Sequence, residues 1–183
     1  SVVRVLGTAC GLGISGSGWV AGPDLVVTNA HVVAGQQDTT ADGHPAQVFA
    51  FDSRNDIAVL HVPRLGRPAL AQTRPRQGAP AAIVGYPENG PLTIVPGRVG
   101  GIATVLSDDA YGRGPVTRRI VSFRGRVRHG NSGGPLVNGD GRVVGTVFAS
   151  RTGSVAGYAV DPDLVRNAIA KARGPVSSGP CAD

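Results

Sequence analysis

The 183-residue chain has no methionine, one tryptophan, two cysteines and four phenylalanines, and none of its apolar runs approaches the ~20 residues that a membrane helix requires. Aromatic residues make up 4% of the chain, so Val, Leu, Ile and Ala must fill any interior. Lysine is nearly absent: among 18 basic residues only Lys171 is a lysine, and the rest are arginines. A net charge of +6 could suit a nucleic acid, but the arginines stand singly among apolar residues and few aromatics are available to stack on bases. A nucleic-acid partner is therefore not expected. The four histidines and two cysteines include no close pair with ligand-like spacing, so no metal and no cofactor are expected either. No signal peptide precedes Ser1, and the chain reads as a mature or excised domain.

Glycine and proline are abundant, at 28 and 14 residues, with no collagen-like period. Together with short apolar runs separated by turn residues, they predict an all-β chain. Strands are expected at the start of the chain (SVVRVL), up to Ala21, over Leu25 to Thr28, Gln47 to Phe51 and Ile57 to Val62, with a helical turn around Ala30 to Ala34. The proline-rich stretch from Pro63 to Gly78 reads as a crossing between two halves. Beyond it the strand rhythm resumes in AAIVGYP, LTIVPGRVGGIATVL, RRIVSFRG, PLV, RVVGTVFAS and VAGYAV, with NGDG and RTGS as hairpin turns. The period then changes. Asp161 as N-cap and Pro162 at the first helical position open a helix, with Leu164, Val165, Ala168, Ile169 and Ala172 on one stripe.

Cys10 and Cys181 lie near opposite ends of the chain. They could be unpaired core residues, but the tail SSGPCAD gives Cys181 no apolar reason to be buried. A disulfide is expected, and with it an oxidising compartment.

The stretch RHGNSGGPLV displays one hydroxyl, Ser132, among glycines that leave it unshielded. A serine is a weak nucleophile until a base reaches it, and the base works best when a third group fixes its tautomer. Of the four histidines, His31 stands where a strand gives way to a turn in VVTNAHVV, whereas His44 and His61 lie in ordinary strand or loop sequence and His129 shortly precedes Ser132. Asp56, in SRNDIAVLHV, sits at the mouth of an apolar strand, where it could be a strand cap or could hold His31 away from water. His, Asp and Ser in this order and setting are more specific than any one of them.

The segments GSGWV, VVTNAHVV, RNDIAVLHV, AIVGYP, PGRVG, GNSGGPLVNGDGRVVG and GYAV resemble the chymotrypsin-like (trypsin-like) serine proteases, in particular the bacterial HtrA/Deg-type branch, over Ser1 to Val160. The cysteine pair and the absence of a PDZ segment narrow the likeness to actinobacterial, membrane-anchored periplasmic members linked to acid stress. The resemblance implies two Greek-key six-stranded β-barrels with a C-terminal helix in a single protease domain: barrels at 1–65 and 79–160, a connection at 66–78 and a helix at 161–173. It implies a serine endopeptidase with His31 as base, Asp56 as its orienting group and Ser132 as nucleophile, acting on a peptide or protein. The oxyanion hole would be formed by Gly130, Asn131 and Ser132, with the N–H groups of Gly130 and Ser132 as donors. Asn131 stands where digestive proteases carry an aspartate that pairs with a new N-terminal ammonium, so activation by N-terminal insertion is not expected. Arg126, Val127, Arg128 and His129, with Val147, Phe148, Ala149 and Gly157, would line the specificity pocket. Arg126 occupies the position that is acidic in trypsin, so a small or aliphatic substrate residue is expected. The resemblance also implies an extracytoplasmic location and an inner-membrane tether outside this sequence. The alternative is a catalytically silent peptide-binding or scaffold module of the same fold.

Overall fold

The computed structural model describes residues 1–150 and 155–181. The first strand, β1 (Val2–Ala9), follows the alternation of its sequence: Val3 and Val5 are buried, while Val2, Arg4 and Leu6 are only partly covered. It pairs antiparallel with β2 (Leu12–Gly22), which continues to β3 (Leu25–Thr28). One helical turn, α1 (Ala30–Val33), follows directly. The chain then forms two-residue strands β4 (Thr40–Ala41) and β5 (His44–Pro45), followed by β6 (Gln47–Asp52) and β7 (Ile57–His61). The sheet order is β5-β4-β1-β2-β3-β7-β6. This half has seven strands where six were expected, because Asp42 and Gly43, both with left-handed backbones, fold 40–45 into a tight hairpin of its own.

The second half closes into a six-stranded barrel of β8 (Pro80–Gly85), β9 (Thr93–Ser107), β10 (Val116–Arg124), β11 (Pro135–Asn138), β12 (Val143–Ser150) and β13 (Ala156–Val160). The all-β, chymotrypsin-like class read from the sequence holds. NGDG forms the β11–β12 turn, with Asn138 N–H donating to the Arg142 carbonyl. RTGS lies outside the described residues. The helix α2 (Pro162–Lys171) starts where expected, with the Asp161 side chain accepting from the Asp163 N–H and Arg119 pairing with Asp161 at 2.9 Å.

The first sheet is buried on both faces. Val20, Val26, Ala58 and Leu60 point into its own core, whereas Trp19, Val27, Ile57 and Val59 pack with Val143, Val160, Val165 and Ala168 of the second barrel and α2. This shared layer locks the halves together, and Trp19 Nε1 adds a hydrogen bond to Thr146 Oγ1 at 3.1 Å. The connection between the halves joins both: Leu70 N–H donates to the Val20 carbonyl and Thr73 N–H to the Val143 carbonyl.

Cys10 and Cys181 are joined, 171 positions apart in sequence. The tail before Cys181 straps across the first sheet. Val176 N–H donates to the Val48 carbonyl, and the Ser178 carbonyl accepts from Gly35 N–H and from Tyr111 Oη. Gly35 is required here, because a Cβ on it would lie 2.6 Å from the Cys181 nitrogen. Replacing both cysteines by serine is expected to lower the unfolding free energy by roughly 5 kcal/mol on chain-entropy grounds, seen as a lower urea midpoint. An unchanged midpoint would mean that the strap's hydrogen bonds hold without the covalent link.

Candidate active site

Strand β3 ends at Thr28, whose buried hydroxyl donates to the Ser17 carbonyl at 2.8 Å. Asn29 follows, fully buried, and its amide donates to the Asp56 carbonyl at 2.9 Å. These contacts seat the single turn of α1 against the loop before β7, and His31 rides on that turn.

Asp56 has a left-handed backbone, φ +57°, a conformation that aspartate and asparagine tolerate better than most side chains. From there one carboxylate oxygen accepts the His31 backbone N–H at 2.9 Å and the other accepts from His31 Nδ1 at 2.8 Å. A carboxylate at Nδ1 fixes the proton on that nitrogen and leaves Nε2 as the basic atom. Asp56 is 3% exposed, while the His31 side chain is 33% exposed, so the carboxylate is sheltered and the imidazole has an open side.

Burial alone would make His31 harder to protonate; the charge of Asp56 and its hydrogen bond outweigh that and raise the pKa above the ordinary 6.5. Burial likewise pushes Asp56 upward, but the charge and hydrogen bonds of His31 outweigh it, and the carboxyl stays below its usual range. The base is therefore lost on acidification at a higher pH than a free histidine would lose its neutral form.

Ser132 lies in the turn before β11, and its carbonyl accepts from Ser17 N–H at 2.8 Å. Gly16 marks how closely the two halves meet there: a Cβ on it would lie 2.6 Å from Val32, the neighbour of His31, and 3.2 Å from the Ser132 carbonyl oxygen. The Ser132 hydroxyl is not hydrogen bonded to His31 in this arrangement, a contact that commonly tightens only with substrate in place.

The segment before Ser132 is pinned from two sides. Ser17 Oγ, wholly buried, donates to the Gly130 carbonyl at 2.6 Å and accepts from Tyr86 N–H at 2.9 Å. The His129 carbonyl accepts from Glu88 N–H at 2.7 Å, in the turn Pro87–Asn89. A trans peptide places its N–H opposite its carbonyl, so the Gly130 N–H faces away from that turn. Among the described residues the N–H groups of Gly130 and Ser132 have no acceptor, and the Asn131 amide, 1% exposed, has no hydrogen-bond partner.

The residues assigned to a specificity pocket fall into different settings. Arg126, Arg128 and His129 are exposed and Val127 is half-buried against the second core. Val147 is wholly buried in that core, so it offers backbone rather than a side-chain wall: its carbonyl accepts from Gly133 N–H and its N–H donates to the Gly134 carbonyl oxygen. Gly157 makes room for the Phe123 ring, which a Cβ would meet at 2.3 Å. Phe148 is half-buried, with its ring 6.5 Å from that of Tyr158. The side chain of Ala149 lies outside the described residues. Ser17, Glu88 and Arg118 were not anticipated. Ser17 carries a signal as the hydroxyl within the glycine-flanked GSGWV, and Arg118 a partial one in the alternation of its strand.

A family model for the trypsin-like peptidase domain matches residues 16–145. Serine protease Rv3671c of Mycobacterium tuberculosis H37Rv is 38% identical to this chain, covering 98% of it and 48% of that protein. Serine protease HTRA1 of Xenopus laevis is 30% identical over 90% of this chain and 38% of its own length. The chain thus spans about half, or less, of the length of these curated relatives. The crystal structure of the Rv3671c protease in its active form matches with a TM-score of 0.95 at 36% identity, over 100% of this chain and 86% of that one. The inactive form matches at 0.81 and 35% identity, over 95% and 89%. The matched segment spans His31, Asp56 and Ser132, and the chain belongs to the trypsin-like peptidase family.

Proposed function

We propose that this domain is a serine endopeptidase that cleaves peptide bonds through Ser132, His31 and Asp56. The observation that carries the reading is the two-point grip of Asp56 on His31, which leaves Nε2 as a base on the partly open side of the ring. Ser132 Oγ attacks the scissile carbonyl carbon and gives its proton to His31 Nε2. The carbonyl oxygen, now negative, is received by the N–H groups of Gly130 and Ser132. Collapse of the tetrahedral intermediate breaks the C–N bond, and His31 returns the proton to the leaving amine. Water then repeats the sequence on the acyl-enzyme. Asp56 stays ionised and stabilises the imidazolium.

The likeness to the active form of Rv3671c and the fixed His129 carbonyl support a competent oxyanion loop. Asn131 is a neutral amide that cannot pair with an inserted ammonium, which favours loop ordering by substrate over N-terminal insertion as the control. With Arg126 exposed and no carboxylate in its place, the preferred substrate residue is small or aliphatic. The Cys10–Cys181 disulfide favours an extracytoplasmic setting, and no helix among the described residues is long and apolar enough to cross a membrane.

The test is labelling by a fluorophosphonate with peptide mapping, alongside casein cleavage. Label confined to Ser132, absent from Ser132→Ala, and cleavage lost in the same variant are expected. A folded wild-type chain that neither labels nor cleaves, even with peptide added, would favour a silent binding module.

A further inference from the structure

Three charged residues of the described chain are almost fully buried: Asp56, Asp161 and Arg118, at 3%, 2% and 2% exposure. Asp56 has His31 and Asp161 has Arg119 as direct ion partners. Arg118 has none; no carboxylate among the described residues lies within salt-bridge reach of it. Its guanidinium instead donates from Nε to the Arg54 carbonyl at 3.1 Å and from Nη2 to the Asp108 carbonyl at 2.6 Å. Its Cζ lies 4.8 Å from the centre of the Phe148 ring. Arg118 therefore reaches from β10 of the second barrel to the loop of the first that carries Asp56, two residues beyond Arg54.

Burying a cation without a paired anion is costly, and neutral donors could tie down two carbonyls. What the cation adds is a field. The charges facing it are Asp56 on the loop before β7, Asp109 and Asp108 after β9, and Asp52 at the end of β6. His31, on α1, faces the opposed charges of Asp56 and Arg118. The Phe148 ring stabilises the guanidinium through its π face and covers it from solvent, so that its field is poorly screened.

We propose that Arg118 is a positioning residue of the catalytic pair: its buried guanidinium, anchored on the Arg54 carbonyl in the loop that carries Asp56, tempers the negative charge that His31 feels and extends the pH range in which His31 serves as base. The inference rests on the Ser132–His31–Asp56 reading. The direction follows from the charges. Burial and Arg118 make His31 harder to protonate and Asp56 makes it easier. Removing the Arg118 charge leaves Asp56 less opposed, so His31 takes up its proton at higher pH and the acid limb of activity moves upward.

The experiment is a kcat/KM profile from pH 5 to 9 on a peptide substrate for wild type, Arg118→Met, Arg118→Gln and Arg118→Lys, each checked by circular dichroism. The Gln variant keeps a donor toward the Arg54 carbonyl and guards against a folding defect in the Met variant. In the neutral variants the ratio of kcat/KM at pH 6 to that at pH 8 is expected to fall roughly threefold or more relative to wild type, the equivalent of about half a pH unit. Lysine, which keeps the charge, restores most of the ratio. A merely structural tie would lower activity equally at all pH values, and an unmoved acid limb in a folded neutral variant overturns the proposal. Activity that survives Ser132→Ala would instead overturn the triad reading, which separates the two failures.

Discussion

Asp56→Asn is expected to lower kcat about 10⁴-fold at neutral pH while leaving the fold intact. Asparagine tolerates the left-handed backbone at this position as well as aspartate does, so the change adds no strain. Its Oδ1 can still accept the His31 backbone N–H, the bond that is 2.9 Å in the parent. That places its NH₂ group opposite Nδ1, where the carboxylate now accepts at 2.8 Å. A donor there makes Nδ1 the acceptor and moves the ring proton to Nε2, the atom that must take the proton of Ser132. Loss of the carboxylate also removes what holds the His31 pKa above 6.5, so the acid limb of the residual activity moves to lower pH. Stopped-time peptide cleavage and a pH profile check both effects. A loss of less than tenfold would place the proton transfer on a group other than His31.

The legible parts of this site are those whose chemistry is marked locally. Ser132 among glycines, His31 at the strand end of VVTNAHVV and Asp56 leading an apolar strand each stand out within a few residues. The structure places His31 and Asp56 in contact and ties the Ser132 carbonyl to Ser17 on β2, next to Gly16, which Val32 of α1 also crowds. The helix behind them was equally clear, since Asp161, Pro162 and a 3.6-residue stripe are local signals that tertiary packing had no reason to override.

What stayed hidden depends on partners distant in sequence. Glu88 holds the His129 carbonyl from 41 positions upstream, and no composition cue in PEN marks it. Arg118 follows Thr117 and precedes a second arginine on a strand, and alternation sets it on the same side as buried Ile120 while Arg119 faces out to Asp161. Period two could have shown that one arginine must point inward, though not what it would meet. Val147 is no pocket wall for a related reason: it pairs in regular register with Ala159 and points with it into the second core, while the shift that follows, between Val147 and Ala149, displaces only the residues beyond it. Bulges of this kind are set by the partner strand and leave no mark in the residues themselves.

Gly130→Ala is expected to lower kcat by about 10²–10³-fold, the cost of one lost oxyanion donor, with little change in KM. Gly130 has φ +87°, which a side chain disfavours, and an added Cβ would lie 2.4 Å from the Tyr86 carbonyl oxygen and 2.9 Å from the Glu88 nitrogen. Both contacts are backbone, so no rotamer change relieves them. The relief available is rotation of the peptide before Gly130, which breaks the Glu88 to His129 bond and turns the Gly130 N–H to a new direction. Asp56 and His31 share no atom with that peptide, so the acid limb of the pH profile stays in place while the plateau falls. Gly133→Ala provides the contrast. There φ is +83° and the Cβ would lie 2.1 Å from the Ser17 carbonyl oxygen and 2.3 Å from Thr28 Oγ1, in the seam that joins the two halves, so the loss should appear first as a lower melting temperature. Kinetics on active-site-titrated protein together with thermal melts separates the two variants. A Gly130→Ala enzyme with wild-type kcat would mean that the oxyanion is received by groups other than the Gly130 N–H, and that the clamp formed by Ser17 and Glu88 serves the fold rather than the reaction.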